Sequence, residues 1–217
     1  MDKLKLGQRL LLAAQGVAPL ALKLPVILRL GPQRIAELAP HLPGARLREL
    51  ILALPVDFLA KTAVHLDPRA ILDTYLSLPD SLHLEVARQL CADRQFATAA
   101  RYAECLSPLK IRVLIIGINN VDHVMQIARH IEDLELIVQA VRTLSGGYLA
   151  QLTLAAERDA NLAVSVRVLS GLSPARQAEI CGLLPDHVLQ QLLPPLLEIG
   201  GEALRERLPE RLQVLAD

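Results

Sequence analysis

The chain has 217 residues, enough for one large domain or two small ones with a core that needs no disulfide or metal. Hydrophobic residues make up 52% of it and aromatic ones 2%, with no Trp, so the apolar content is aliphatic, a composition of packed helices rather than strands. Basic and acidic side chains balance at 23 each, which removes the electrostatic footprint of a nucleic-acid binder or of a protein held on an anionic membrane.

The first residues, MDKLKLGQRLLLAAQGVAPLAL, place basic side chains before an apolar run as a leader would, but Gln15 and Gly16 interrupt the run and no A-x-A cleavage site follows. The nearest approach to a membrane span, residues 10 to 22, is too short, so no transmembrane segment is expected. Cys91, Cys105 and Cys181 form no C-x-x-C pair, and their odd number argues against a disulfide framework. They fit small buried apolar positions in a reducing compartment, and a soluble cytoplasmic protein is expected. Charge is graded along the chain: residues 1–60 carry eight basic and four acidic side chains, residues 151–217 six and nine. Such an elongated polar body allows head-to-tail association.

From residue 30 onward an internal ruler runs through the sequence. Leu30, Leu42, Leu54, Leu66, Leu78 and Leu90 stand twelve residues apart, and Leu172, Leu184, Leu196 and Leu208 keep the same step. Pro43, Pro55, Pro79, Pro185 and Pro209 follow an anchor directly, while Asp67-Pro68, Ser107-Pro108 and Ser173-Pro174 put a capping side chain first. Proline is tolerated where a helix begins and Asp or Ser can accept from the exposed first-turn amides, so each anchor should end one helix and each punctuation mark open the next. Within units the apolar residues keep helical spacing, as in Ile35, Leu38 and Leu42, and two-residue alternation is absent. Twelve residues leave about eight or nine for each helix, too few for stability in isolation, so the helices must stack on one another. The expected fold is all-α, a right-angled superhelix (α-solenoid) of about fourteen to sixteen short helices in one domain, residues 1–217. Regular repeats cover 19–90 and 172–212, and the ruler slips over 91–171.

In that irregular part the unit IRVLIIGI, residues 111–118, reads as the buried middle of the stack, with an exposed groove as the alternative. Next comes GINNVDHVMQIARHIEDLE, the best polar cluster. Asn119-Asn120 should cap its helix, and His123 and His130, seven apart, should share a face. Asp122, His123, Arg129, His130, Glu132 and Asp133 are the candidate partner-binding surface; no metal is assigned, because H-x-x-x-H spacing is absent. Gly146-Gly147 reads as a left-handed helix C-cap, Pro194 and Pro195 as residues of a short terminal turn, and Gly200-Gly201 as a joint or kink.

The phrases LPGARLRELILALP, HLDPRAILDTYLSLP and LSPARQAEICGLLP resemble the helical-repeat N-terminal domain of MgtE-type magnesium transporters, itself related to segments of the flagellar motor switch protein FliG. The resemblance spans residues 19–90 and 172–212 and implies a superhelix of short hairpinned helices. Those transporters continue into paired nucleotide-binding-type domains and five membrane helices, which these residues do not contain, and the acid-rich magnesium-sensing surface is also lacking. The resemblance therefore implies a fold and a regulatory-module role, and transfers no magnesium ligand.

Catalytic signatures are missing: there is no G-x-S-x-G, no G-x-x-x-x-G-K-[ST] and no G-x-G-x-x-G. His41, His65, His83 and His187 occupy different phases of the repeat and read as helix-end or surface residues. No polar residue recurs at a fixed phase, as a one-base-per-repeat RNA code would need. The expectation is a non-catalytic scaffold for a protein or peptide partner, without cofactor, its apolar excess lining an exposed groove or a homo-oligomer interface. A binder of a lipid or other apolar ligand is one alternative. An enzyme with an unrecognised pocket converging on His123, His130 or another ionisable group is another.

Overall fold

A computed structural model of the protein describes residues 20–213, and over them the chain is all-α, with no strand. The basic-then-apolar N-terminal segment read above lies largely outside the described residues. By contact density the chain divides into two compact units, one ending at Cys105 and the other beginning at Leu106.

The first unit contains α1 (Leu20–Leu30), α2 (Pro32–Leu38), a 3-10 turn (Ala39–His41), α3 (Gly44–Ala53) and α4 (Val56–His65). After a second 3-10 turn (Pro68–Ile71) come α5 (Leu72–Leu76), α6 (Asp80–Ala92) and α7 (Phe96–Ala103). The second unit holds α8 (Pro108–Ile118), α9 (Val121–Ala128), α10 (Leu134–Val141) and α11 (Gly146–Arg158). It continues with α12 (Leu162–Ser170), α13 (Pro174–Cys181), α14 (Asp186–Arg205) and α15 (Glu210–Gln213).

The joints form as the ruler implies. Leu42, Leu54 and Leu66 each leave the helical region for extended backbone, with ψ of 144°, 146° and 130°. For Leu42 and Leu54 the cause is the following proline, whose ring disfavours the α conformation of the residue before it. At Leu-Pro joints the proline is itself the N-cap, as at Pro43, Pro55, Pro79 and Pro185; at Asp67-Pro68, Ser107-Pro108 and Ser173-Pro174 it is the first helical residue. In both places an amide would have lacked an intrahelical partner, so its loss costs nothing. Asp67 accepts from the Arg69 amide at 3.0 Å and Ser107 from that of Lys110 at 3.4 Å. Ser173 makes no such bond.

Two anchors do not end helices. Leu90 lies inside α6 and Leu196 inside α14, and neither is followed by Pro, Gly or a cap, so nothing stops the backbone there. α6 runs on to Ala92 and is closed by Arg94, in the left-handed region at φ 55°, with the Gln95 amide donating back to the Leu90 carbonyl at 2.7 Å. This pattern normally recruits glycine. α11 closes in the same way at Ala160, φ 52°. The extra turn in α6 and its closing loop are why sixteen residues separate Leu90 from Leu106.

α14 corrects the reading of Pro194 and Pro195, which sit in the middle of the helical run from Asp186 to the kink at Gly201 rather than in a terminal turn. Their rings remove the amides that would have met the Gln190 and Gln191 carbonyls, and both glutamines are exposed, where water can replace them. Val188, Leu189, Leu192, Leu193 and Leu196 are wholly inaccessible and hold the helix through the interruption. The kink falls later, at Gly201 (φ 55°, ψ −150°), as expected for Gly200-Gly201. Gly146-Gly147 is also corrected: neither has positive φ, and Gly146 opens α11 behind the N-cap Ser145, whose Oγ accepts from the Tyr148 amide at 3.2 Å. A methyl at Gly146 would meet the carboxylate end of the exposed Glu179 side chain on α13, which would have to swing aside.

Within each unit the dominant packing is between alternate helices. α2 packs on α4 and α4 on α6, with α3 on α5. In the second unit α8, α10, α12 and α14 form one row and α9, α11 and α13 another, tied together by α8–α9, α11–α12 and α13–α14 contacts. Ile27, Ile35, Leu50, Leu54, Phe58 and Leu59 form the core of the first unit's early helices. The anchors Leu54, Leu66, Leu78, Leu172, Leu184 and Leu208 are all buried, as are Leu106 and Leu144 at the joints after α7 and α10, so the residues that end helices also pin the joints to the core. Each such burial stabilises by about 1.5–3 kcal/mol.

Candidate functional site

The structure scatters the polar cluster of residues 119–133 around one helix. Asn119 is the left-handed C-cap of α8 (φ 51°), and Asn120 caps α9, its Oδ1 accepting from the His123 amide at 3.0 Å. α9 stops at Ala128, so His130 lies beyond it and does not share a helical face with His123. The seven-residue spacing fails because the following turn intervenes. His130 is exposed and His123 half-buried.

The remaining candidates largely serve the fold. Asp122 pairs with Arg158 at 2.5 Å, Gln126 donates to Asp159 at 2.5 Å, and Arg129 donates to Gln126 at 3.1 Å. This chain ties α9 to the end of α11, which packs on it. Exposed pairs of this kind contribute about 0–1 kcal/mol each. Asp133 caps α10, accepting from the Leu136 amide at 3.0 Å, and Glu132 is exposed beside it. Among the described residues no three His, Cys, Asp or Glu side chains converge as a metal would require.

A second polar cluster, in the first unit, had no sequence signal. His83 is buried, not a surface residue, because α6 packs it against Tyr75 with ring centres 4.7 Å apart and its Nε2 3.0 Å from the Tyr75 carbonyl. His41, His65 and His187 are exposed at helix ends, as read. Tyr75 donates to the Tyr102 carbonyl at 3.2 Å and Tyr102 to the Leu66 carbonyl at 3.1 Å, their rings edge to face. Arg101 reaches the last-turn carbonyls of α4, Ala63 at 2.9 Å and Val64 at 3.3 Å. Burial pushes both phenols above their ordinary range; for Tyr75 its neighbour Tyr102 adds to this, while for Tyr102 the Arg101 charge partly opposes it. These hydroxyls are fixed donors that join α4, α5 and α7, with no proton to exchange near neutrality.

The thiols are also poor nucleophiles. Burial pushes Cys91 and Cys181 up to about 11, and Cys105 is raised as well, mainly by burial. A reactive cysteine needs the opposite shift. A shallow cleft of about 340 Å³ lies beside α10, between Glu135, Gln139 and Arg142 on one side and Ser173 and Arg176 on the other. Arg176 is committed to Glu179 and the Leu144 carbonyl, and Glu135 accepts from Gln139 at 2.8 Å. An apolar pocket bounded by Ile131, Ile137 and Val164 holds about 10 Å³, no more than one water.

Several large aliphatic side chains stay in solvent among the described residues, and on α8 three of them fall together. The buried side of that helix, Ile111, Leu114 and Ile115, meets the core, and the Ile115 carbonyl accepts from the Tyr148 hydroxyl at 3.3 Å. Its opposite side is equally apolar but open: Leu109, Val113 and Ile116 are 62%, 42% and 58% exposed. The IRVLIIGI unit is therefore only half core. At 100° per residue the three stand in one stripe, with half-buried Lys110 and Arg112 on its two borders. Arg112 is steadied by a 2.8 Å bond to the Thr143 hydroxyl. Periodicity could not have singled out this stripe, because both faces of the helix are aliphatic. Comparison of the chain with protein-family models, curated proteins and solved structures gives no match.

Proposed function

We propose that this chain is a non-catalytic scaffold of short helices stacked as an α-solenoid, which binds a protein or peptide partner on an exposed helix face. The alternate-helix rows of each unit support the stacking, since a solenoid's helices contact chiefly their neighbours in the repeat. The single observation that carries the binding is the Leu109, Val113 and Ile116 stripe, a run of large aliphatic side chains left in solvent at helical spacing. The polar groups, by contrast, are mostly engaged in holding helices together. The exposed side chains between Asp122 and Asp133 form a second and weaker candidate face. A cytoplasmic setting is supported by three free cysteines, two of them buried. A regulatory module like the N-terminal domain of MgtE-type transporters is one form of such a scaffold, and rests on the sequence resemblance.

The test is to isolate the protein from its native cells beside a Leu109→Ser, Ile116→Ser double variant, after matching their thermal melts. Proteins retained by the unaltered chain should be lost from the variant. Identical retention by the two would remove this face from the proposal.

A further inference from the structure

We infer that the occupant of the α8 stripe is a single amphipathic helix with acidic edges, laid along α8. This rests on the scaffold reading and goes further, in naming the kind of partner. Leu109, Val113 and Ile116 stand at i, i+4 and i+7, the spacing by which one helix meets another, and the stripe runs about 10 Å. The exposed parts of the three side chains amount to roughly 300 Å², well short of the ~800 Å² per partner of a stable globular interface. That area suits a helix lying in one seam better than a second copy of the chain.

Charge chooses the helix. Lys110 and Arg112 border the stripe on opposite sides, and α8 (PLKIRVLIIGI) contains no acidic residue. Arg112 is fixed in place by Thr143, so one edge is a preset positive charge. A helix with Leu in its seam and Glu on both flanks would set carboxylates against both borders, whereas Lys at those places would set like charges together. Rim charges act mainly on selectivity and association rate, so binding should be salt-sensitive.

The experiment uses the full chain and two synthetic helical peptides. They share Leu at i, i+4 and i+7 and differ only in carrying Glu or Lys on both flanks, with binding followed by fluorescence anisotropy at low and high salt. The Glu peptide should bind, weaken in high salt, and weaken about two- to fivefold with Lys110→Glu. It should lose binding with Ile116→Ser, a change at an exposed position that leaves the core intact. A photo-reactive group at position 113 should crosslink to the Glu peptide. Equal binding of the two peptides, or binding of neither, would overturn the inference. So would concentration-dependent self-association abolished by Ile116→Ser, since a second copy would then be the occupant. Failure of the peptides beside intact, stripe-dependent retention of cellular proteins would sink the acidic-helix inference alone. Loss of that dependence would sink the scaffold reading.

Discussion

Arg94 shows how a single residue can carry strain that its neighbours impose. It sits at φ 55°, where a side chain is disfavoured, because the Leu90 carbonyl needs the Gln95 amide to close α6. Arg94→Gly should therefore stabilise the protein by about 0.5–1 kcal/mol, the relieved strain less the added unfolded-state entropy, read as a higher urea midpoint. The buried thiols give a pH prediction. Folding raises Cys91 and Cys181 from 9.0 to about 11, so it favours the neutral form. The stability this contributes is fully present below pH 9 and is lost as pH climbs through about 11. Urea midpoints should fall over that window, and Cys181→Ala should reduce the fall while lowering the midpoint at neutral pH. Tyr75 and Tyr102, raised by burial in the same sense, prolong the loss at higher pH.

At the scale of the element, α14 departs furthest from a twelve-residue unit. Its inner face is so completely buried, from Val188 through Leu196, that two adjacent prolines do not end it, and the break comes only at Gly201. The φ 55°, ψ −150° conformation there is open only to glycine. Gly201→Ala should cost about 1–3 kcal/mol by thermal or urea unfolding, although no neighbouring atom would touch the added methyl. The joints were legible in the sequence where the cause is local. Leu54-Pro55 and Leu66-Asp67-Pro68 stop and restart helices through steric and capping effects reaching two or three residues. Leu90 and Leu196 look the same as anchors, but without a stop signal after them the helix continues. Gly146-Gly147 suits a C-cap as well as a helix start on local grounds, and only the fold shows the start, with Ser145 as the N-cap.

Across the whole molecule, protection against unfolding should follow burial unit by unit. The second unit's end, with Val188, Leu189, Leu192, Leu193, Leu196, Leu204 and Leu212 at zero accessibility, should hold the slowest-exchanging amides. Five-residue α5, with Leu72 and Leu76 in solvent, should exchange among the fastest of the described helices. Hydrogen–deuterium exchange with mass spectrometry reads both, and comparable rates in α5 and α14 would contradict the assignment. By itself the sequence determined the all-helical class, the short joints and most of the anchors, because helix periodicity, proline sterics and capping act over a few residues. Only the tertiary structure decided that His83 is buried, that Tyr75 and Tyr102 bond across 27 and 36 residues, and that His130 leaves the face of His123. It alone decided which of the two aliphatic faces of α8 meets the core. Two faces of the same hydrophobicity are equivalent until α10 and α11 pack against one of them, and the candidate partner site is what that packing leaves in water.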